Sequence, residues 1–178
     1  MRRVLLVMLV SLPMGCGTTA PIVPLAESCI TIDNVVNIPP GDATGSVSLG
    51  TYHPVTNLRL SCGRCDLNAV ADAVCTGPTV DPTVHTTFTQ VDGVLTAEST
   101  DGTKMQGSIN TDRSSVLGAV ITPSSTDGTQ TGRGLVMFTG KLSGTVVAAT
   151  MTLRLTMNFS NSVADLQSVH AVTWERIE

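Results

Sequence analysis

The stretch TVVAATMTLRLTMNF, residues 145–159, decides the fold class of this chain. Its apolar residues occupy every second position from Val147 to Phe159, and mostly Thr, Arg and Asn lie between them. A period of two gives a β-strand one dry and one wet face, whereas a helix would scatter the same residues around its cylinder. The pattern therefore predicts one long strand, Thr145–Phe159, with one face on a core.

Turn signals divide the chain on both sides of this stretch, roughly every eight to twelve residues, as in all-β domains. Asp92-Gly93 and Asp101-Gly102 each separate two apolar runs, and Asp-Gly supplies the positive φ angles of a hairpin turn. The sequence thus predicts consecutive antiparallel hairpins. The predicted strands of this meander are Val84–Val91, Val94–Ser99, Thr103–Asn110, Ser114–Thr122, Gly132–Thr139, Thr145–Phe159 and Leu166–Ile177.

The N-terminal third is less regular, because Pro and Gly interrupt it. We predict short strands at Cys29–Val36, Ser46–Gly50 and Asn57–Ser61, and one helix of about two turns at Asp66–Val74. The whole chain is expected to be all-β, an antiparallel meander with at most one short helix. Either an up-and-down barrel of lipocalin-like architecture or a two-sheet sandwich fits, and the long strand favours the barrel.

Composition limits the size of the protein and its partners. The 178 residues suffice for one domain. Only 13% of them are charged and the formal net charge is −4, which gives no attraction for phosphate backbones and argues against a nucleic-acid partner. Five aromatic residues are too few for the exposed stacking surfaces of carbohydrate-binding modules or for the aromatic girdles of transmembrane barrels.

The first residues have the order of a secretory signal peptide. Arg2 and Arg3 are basic, Val4–Leu12 is apolar except for one serine, and the small residue Gly15 follows. The apolar run is shorter than the roughly 20 residues that span a bilayer. We therefore expect residues 1–15 to be a signal peptide and the chain to be exported.

The stretch Leu12-Pro13-Met14-Gly15-Cys16 resembles the lipobox of bacterial lipoproteins, in which a small residue precedes the cysteine that becomes the lipidated first residue. The resemblance implies that Cys16 carries the lipid, including palmitate, and attaches the chain to a membrane of the cell envelope. It also implies the outer membrane, since Gly17 is not Asp. Residues 16–27 would then be the lipidated cysteine and its tether, and residues 28–178 a single β domain. The alternative is an ordinary signal peptide cut near Ala20.

The remaining cysteines form an even set, which in an exported protein favours two disulfides. Cys62 and Cys65 make a Cys-x-x-Cys knuckle, and we expect Cys29 to pair with one of them and Cys75 with the other. The knuckle is locally similar to that of thioredoxin-like oxidoreductases, which would make Cys62 a nucleophile. The rest of the chain lacks the helices of that fold. A four-thiolate zinc site is the other alternative, but a zinc ribbon would want a second knuckle.

No motif predicts a catalytic or metal site. The histidines, His53, His85 and His170, fall in a loop or in strand candidates, and no Gly-x-Ser-x-Gly signature is present. Aspartates 92, 101, 112 and 127 occupy turns, where Asp is expected for backbone reasons. We therefore expect no enzyme activity, no cofactor and no bound metal.

These observations leave three hypotheses for function. The first is an exported, lipid-anchored β domain of interaction or structural type, which engages a protein partner through its surface. The second is a barrel that binds a small apolar ligand, with residues such as Met151 and Phe138 lining either a cavity or a solid core. The third is a thiol-disulfide oxidoreductase that uses Cys62 and Cys65. A cavity inside the sheets would separate the first two, and a reactive thiol would identify the third.

Overall fold

A computed structural model describes residues 26–66, 80–122, 131–142, 144–159 and 162–177. Within these ranges the chain forms eight strands and one short helix, and the strands close into one antiparallel barrel. The elements are α1 (Ile32–Val36), β1 (Ser46–Arg64), β2 (Thr86–Val91), β3 (Val94–Ser99), β4 (Lys104–Ile109), β5 (Ser114–Ile121), β6 (Thr131–Lys141), β7 (Val146–Phe159) and β8 (Ser162–Arg176).

The strands follow one another around the barrel in sequence order, and β8 closes it by pairing with β1. The closing ladder is long, since it runs from Tyr52 opposite Arg176 to Arg64 opposite Leu166. Every neighbouring pair is antiparallel, so short connections suffice throughout. The predicted all-β meander is confirmed, and of the two architectures expected it is the up-and-down barrel.

The pattern that predicted β7 is confirmed in its burial. Val147, Met151 and Leu153 lie in the core, while Ala148 and Thr150 between them are exposed. The predicted hairpin turn at Asp92-Gly93 is also confirmed, because both residues have positive φ angles, +45° and +78°. The next turn differs, since it has its positive φ at Gly102 alone and is a longer loop between Ser99 and Thr103.

The prediction of a strand at Cys29–Val36 is wrong, because residues 32–36 form α1. The β-branched residues of this stretch favour a strand, but Thr31 and Asn34 cap a helix start instead. The side-chain oxygen of Asn34 accepts hydrogen bonds from the backbone N–H of Thr31 at 2.8 Å and from its hydroxyl at 3.0 Å. The helix predicted at Asp66–Val74 lies, beyond Asp66, outside the described residues.

The two short strands predicted at Ser46–Gly50 and Asn57–Ser61 are parts of a single strand, β1, which is 19 residues long. It continues through Pro54 because the ladder with β2 ends at Tyr52, so the missing N–H of the proline breaks no bond on that side. The register with β8 shifts on either side of Val55 and of Leu60, which are the extra residues of two bulges. These bulges bend the strand around the barrel.

The barrel interior holds the main core. Tyr52, Phe88 and Trp174 meet edge to face in series, with ring centroids 5.4 and 6.2 Å apart. Phe138 packs on the other side of Trp174 at 5.1 Å. Aromatic rings in such tilted arrangements bury large apolar areas with favourable quadrupole contacts. Most of the aromatic side chains of the described chain thus pack in the interior of the barrel.

Residues 26–45, which we call the strap, cross the outside of the barrel before β1 begins. The strap starts beside the end of β1, where the N–H of Ala26 donates to the carbonyl of Arg64 at 2.8 Å. It ends at the opposite rim, where the N–H of Gly41 donates to the carbonyl of Gly93 at 2.9 Å. Between these points α1 lies over β4, β5 and β6. The strap therefore binds the outer surface over about half of the barrel circumference.

Candidate functional site

The cysteines fasten the strap to the barrel. Cys29 of the strap is bonded to Cys65, which directly follows β1, across 36 residues of sequence. This agrees with the expected pairing of Cys29 with one member of the knuckle. Cys62 also carries a disulfide, and its partner lies outside the described residues, as do Cys16 and Cys75. Cys62 and Cys65 are therefore not bonded to each other, and neither is a free thiol of the kind that the oxidoreductase hypothesis requires.

A buried ion pair holds the strap beside this disulfide. Arg154 of β7 and Asp165 of β8 meet in a two-point contact, with nitrogen–oxygen distances of 2.9 and 2.6 Å. A third nitrogen of Arg154 donates to the carbonyl of Ile30 at 2.9 Å. The planar guanidinium serves both acceptors at once because its five donors fan out in a fixed geometry. The hydrogen bonds that Arg154 donates to Asp165 raise the pKa of its guanidinium above its ordinary value.

Gln167, two residues further along the outer face of β8, completes the attachment. Its side-chain oxygen accepts from the N–H of Ile30 at 2.7 Å, and its amide nitrogen donates to the carbonyl of Ser28 at 2.6 Å. One side chain thereby satisfies two backbone groups of the strap, which would otherwise be buried without partners. Sequence reasoning missed both Asp165 and Gln167, since the strap residues that Arg154 and Gln167 bind, Ser28 and Ile30, lie more than a hundred residues away along the chain.

A small hollow of about 100 Å³ borders the barrel core in the described part of the chain. It is lined by Phe138, Met151, Val172 and Trp174 inside the sheet, and by Pro54 and its neighbours on β1. Pockets that enclose small organic ligands usually measure about 300–1,000 Å³. The hollow has room for a few water molecules, each of which takes about 30 Å³ in the liquid. In the part of the chain that the structure describes, the candidate lining residues therefore form mainly a solid core.

A larger hollow, of about 480 Å³, lies on the outside, between α1 and strands β3 to β5. We call it the groove. Two glycines without side chains, Gly107 on β4 and Gly118 on the neighbouring β5, both line it and leave space there. The backbone of Val35 lies so close to Gly118 that a Cβ there would clash with its carbonyl. The glycine thus lets the helix lie close to β5, where it forms one wall of the groove.

The walls of the groove are apolar and its rim is polar. Val35, Val36, Ile38 and Val120 contribute apolar surface, and Val36 and Val120 remain 54% and 44% exposed. At the rim, Lys104 and Glu98 form an ion pair at 2.8 Å that is open to solvent. An apolar centre with a polar border is typical of protein–protein interfaces. The arrangement offers contact surface and no group placed for chemistry.

Two polar side chains lie on the inner face of β8. His170 is fully buried, and its Nε2 is within 2.9 Å of the Ser168 hydroxyl. Its Nδ1 has no hydrogen-bond partner among the described residues. Burial lowers the pKa of His170, and the positive charge of Arg59 on the neighbouring strand lowers it further. The imidazole is therefore neutral at pH 7. His53 lies on β1 opposite Glu175 of β8, and His85 directly precedes β2. The three histidines therefore do not converge on one site.

The aspartates that the sequence predicts in turns do lie in turns wherever the structure describes them. Asp92 accepts the N–H of Gly45 at 2.9 Å, and Asp101 accepts that of Thr103 at 2.9 Å. Hydrogen bonds from the Ser114 hydroxyl and N–H lower the pKa of Asp112. Asp127 lies outside the described residues. Among those described, no three His, Cys, Asp or Glu side chains are grouped so as to hold a metal ion.

The chain matches no protein-family model, and no curated protein or solved structure is significantly similar to it. None of the helices in the described ranges is both long enough and apolar enough to cross a membrane.

Proposed function

We propose that this protein is an exported, lipid-anchored β-barrel domain that acts by binding a protein partner and performs no chemistry of its own. The observation that carries the proposal is the contrast between the two hollows: about 100 Å³ inside the barrel and about 480 Å³ in the groove outside. The leader, the lipobox-like stretch ending at Cys16 and the disulfides support the location in the cell envelope.

The exposure of the groove favours a macromolecule over a small ligand. Ligand sites bury most of the ligand surface, whereas Val36 and Val120 in the walls of this groove stay open to solvent. A protein partner covers such a surface with one or two inserted apolar side chains and a polar border of its own. The attachment of the strap supports the same proposal, because it fixes α1, and so one wall of the groove, to the barrel.

A photo-cross-linking amino acid at Gln106, which lines the groove and is exposed, tests the proposal in cells that make the protein. The matched control is the same group at Thr150, which is exposed on β7. We expect one defined cross-linked protein from position 106, none from position 150, and a strong reduction when Val36→Asp makes the groove polar.

Equal cross-linking from both positions would contradict the groove as the binding surface. A native mass spectrum of the exported protein addresses the competing function. A non-covalent mass that is lost on denaturation would favour the small-ligand barrel, and a bare mass would leave the protein-binding function in place.

A further inference from the structure

An apolar patch lies on the outer face of β1, on the side of the barrel away from the groove. Leu58 and Leu60 are 65% and 58% exposed, and Val55 nearby is exposed as well. Leu58 pairs with Ala171 of β8, and the bulge at Leu60 lies opposite Val169, so the apolar surface continues onto the next strand. Leu58, Leu60 and Val55 form neighbouring exposed apolar surface, and a contiguous apolar patch of this kind is a candidate contact surface.

The position of the patch relative to the N-terminus indicates what covers it. Ala26 packs directly against Gly63 on β1, where a Cβ would clash with it. Leu60 is three residues from Gly63 along this strand and Leu58 is five, or roughly 10 and 16 Å at the usual rise of a strand. The chain therefore joins the barrel on the same strand as the two leucines and roughly 10–16 Å from them.

The tether is short enough to keep this region near its anchor. Ten residues, Gly17 to Ala26, separate Cys16 from the contact with Gly63. Fully extended, ten residues reach at most about 33–36 Å. If Cys16 carries a lipid, Ala26 cannot move further than this from the bilayer, and the leucines beside it remain within reach of the surface. The opposite rim, where β1 starts at Ser46, is roughly 56 Å from Gly63 along the strand.

We infer that the outer face of β1 around Leu58 and Leu60 rests on the lipid bilayer to which the chain is anchored. This inference depends on the lipid anchor of the proposed function and adds an orientation to it. In a closed barrel of eight strands β5 lies opposite β1, so the groove beside β5 points away from the membrane and toward a partner. The contact is apolar insertion at the interface rather than attraction between charges.

Tryptophan substitutions in the complete mature protein test the contact. Leu58→Trp places a fluorophore in the patch, and Val91→Trp places one at an exposed site of the far rim, opposite Ser46. Both proteins are reconstituted in vesicles of phosphatidylcholine with brominated acyl chains, which quench tryptophan on contact. The native Trp174 is buried in the barrel and adds the same background to both. We expect a loss of emission for Leu58→Trp beyond that of the wild type, and no additional loss for Val91→Trp.

The possible results distinguish a failure of the inferred membrane contact from an absence of the lipid anchor. An intact mass that includes lipid on Cys16, together with equal quenching at positions 58 and 91, overturns the inference and leaves the anchor in place. A mature protein without lipid overturns the anchor and the inference with it. Sedimentation in detergent gives a further decision: a wild-type dimer that Leu58→Ser with Leu60→Ser converts to a monomer would assign the patch to a second copy of the chain. Leu60→Trp repeats the test where Leu58→Trp fails to fold.

Discussion

Strands β7 and β8 are neighbours with a complete ladder between them, yet they are buried differently. In β7, residues 146–153 alternate between more exposed and more buried, as the sequence predicts. In β8, all five residues from Ala164 to Ser168 are buried in succession. The difference comes from the strap, which covers the outer face of β8 there and leaves most of the outer face of β7 to solvent. A strand at the surface of a barrel can thus acquire a second buried face from a segment distant in sequence.

Removal of the disulfide is expected to have the largest effect on this difference. Cys29→Ser with Cys65→Ser opens a loop of 36 residues, which in the chain-entropy description costs about 4 kcal/mol of unfolding free energy. Urea unfolding of the purified protein measures the loss. Hydrogen exchange should at the same time rise at Ile30, whose N–H is bonded to Gln167. A loss below about 1 kcal/mol would mean that the strap stays on without its covalent link.

Loss of the buried ion pair should have the next largest effect. Asp165→Ala leaves the guanidinium of Arg154 largely buried without its carboxylate, and the side chains of the pair are only 23% and 9% exposed. We expect a loss of about 2–4 kcal/mol, also by urea unfolding, since an unpaired charge in such a place is costly.

The surface pair Lys104–Glu98 supplies the control, because its side chains are 73% and 65% exposed. Glu98→Ala should cost less than about 1 kcal/mol. Replacing both members of the buried pair, by Arg154→Met and Asp165→Leu, should recover much of the loss. Equal effects of Asp165→Ala and Glu98→Ala would show that the strap does not bury β8 in solution.

Gln167→Ala isolates the hydrogen bonds of the strap from its charges. The N–H of Ile30 and the carbonyl of Ser28 both lose their partner, and we expect a loss of about 1–2 kcal/mol. The matched variant is Thr150→Ala, which alters the exposed outer face of β7 and should change stability by less than about 0.5 kcal/mol. If the two variants have the same midpoint in urea, the strap hydrogen bonds contribute nothing net.

The comparison of β7 and β8 also explains what the sequence predicts and what it does not. The period of β7 and the turn at Asp92-Gly93 depend on neighbours in the chain, so composition and spacing suffice to predict them. The position of the strap does not depend on neighbours in the chain alone, so composition and spacing do not predict it. Its short helix replaces a predicted strand because of one local cap at Thr31, and its partners Arg154 and Gln167 are known only once the barrel has closed.

The groove was not predictable for the same reason. Gly118 has no positive φ angle that would mark it as special, and its role depends on the backbone of Val35, which lies on it from the strap. The cysteines are an intermediate case. The pairing of Cys29 with the knuckle was predicted from the expected export of the chain and from the strain of a bridge within Cys-x-x-Cys, but the choice of Cys65 required the end of β1 to be placed.

The smallest predicted effect concerns the inner faces of the same two strands. The buried inward-facing residues of β7 in the described chain, Val147, Met151 and Leu153, are apolar, whereas the inner face of β8 carries the buried His170. Burial holds the pKa of His170 below 6.5 in the folded state. Just below pH 6.5 the unfolded chain therefore binds a proton at this imidazole more readily than the folded protein does. The contribution of His170 to the free energy of unfolding is therefore fully present above pH 6.5. It declines as the pH falls from 6.5 to the lower pKa of the folded state, by at most about 1.4 kcal/mol per pH unit. Urea midpoints at pH 7.5 and 5.5 measure this decline, and His170→Gln, which preserves a polar partner for Ser168, removes the titrating group. If the midpoints of the wild type and of His170→Gln decline in parallel, the acid sensitivity belongs to carboxylates elsewhere in the barrel and not to the buried imidazole of β8.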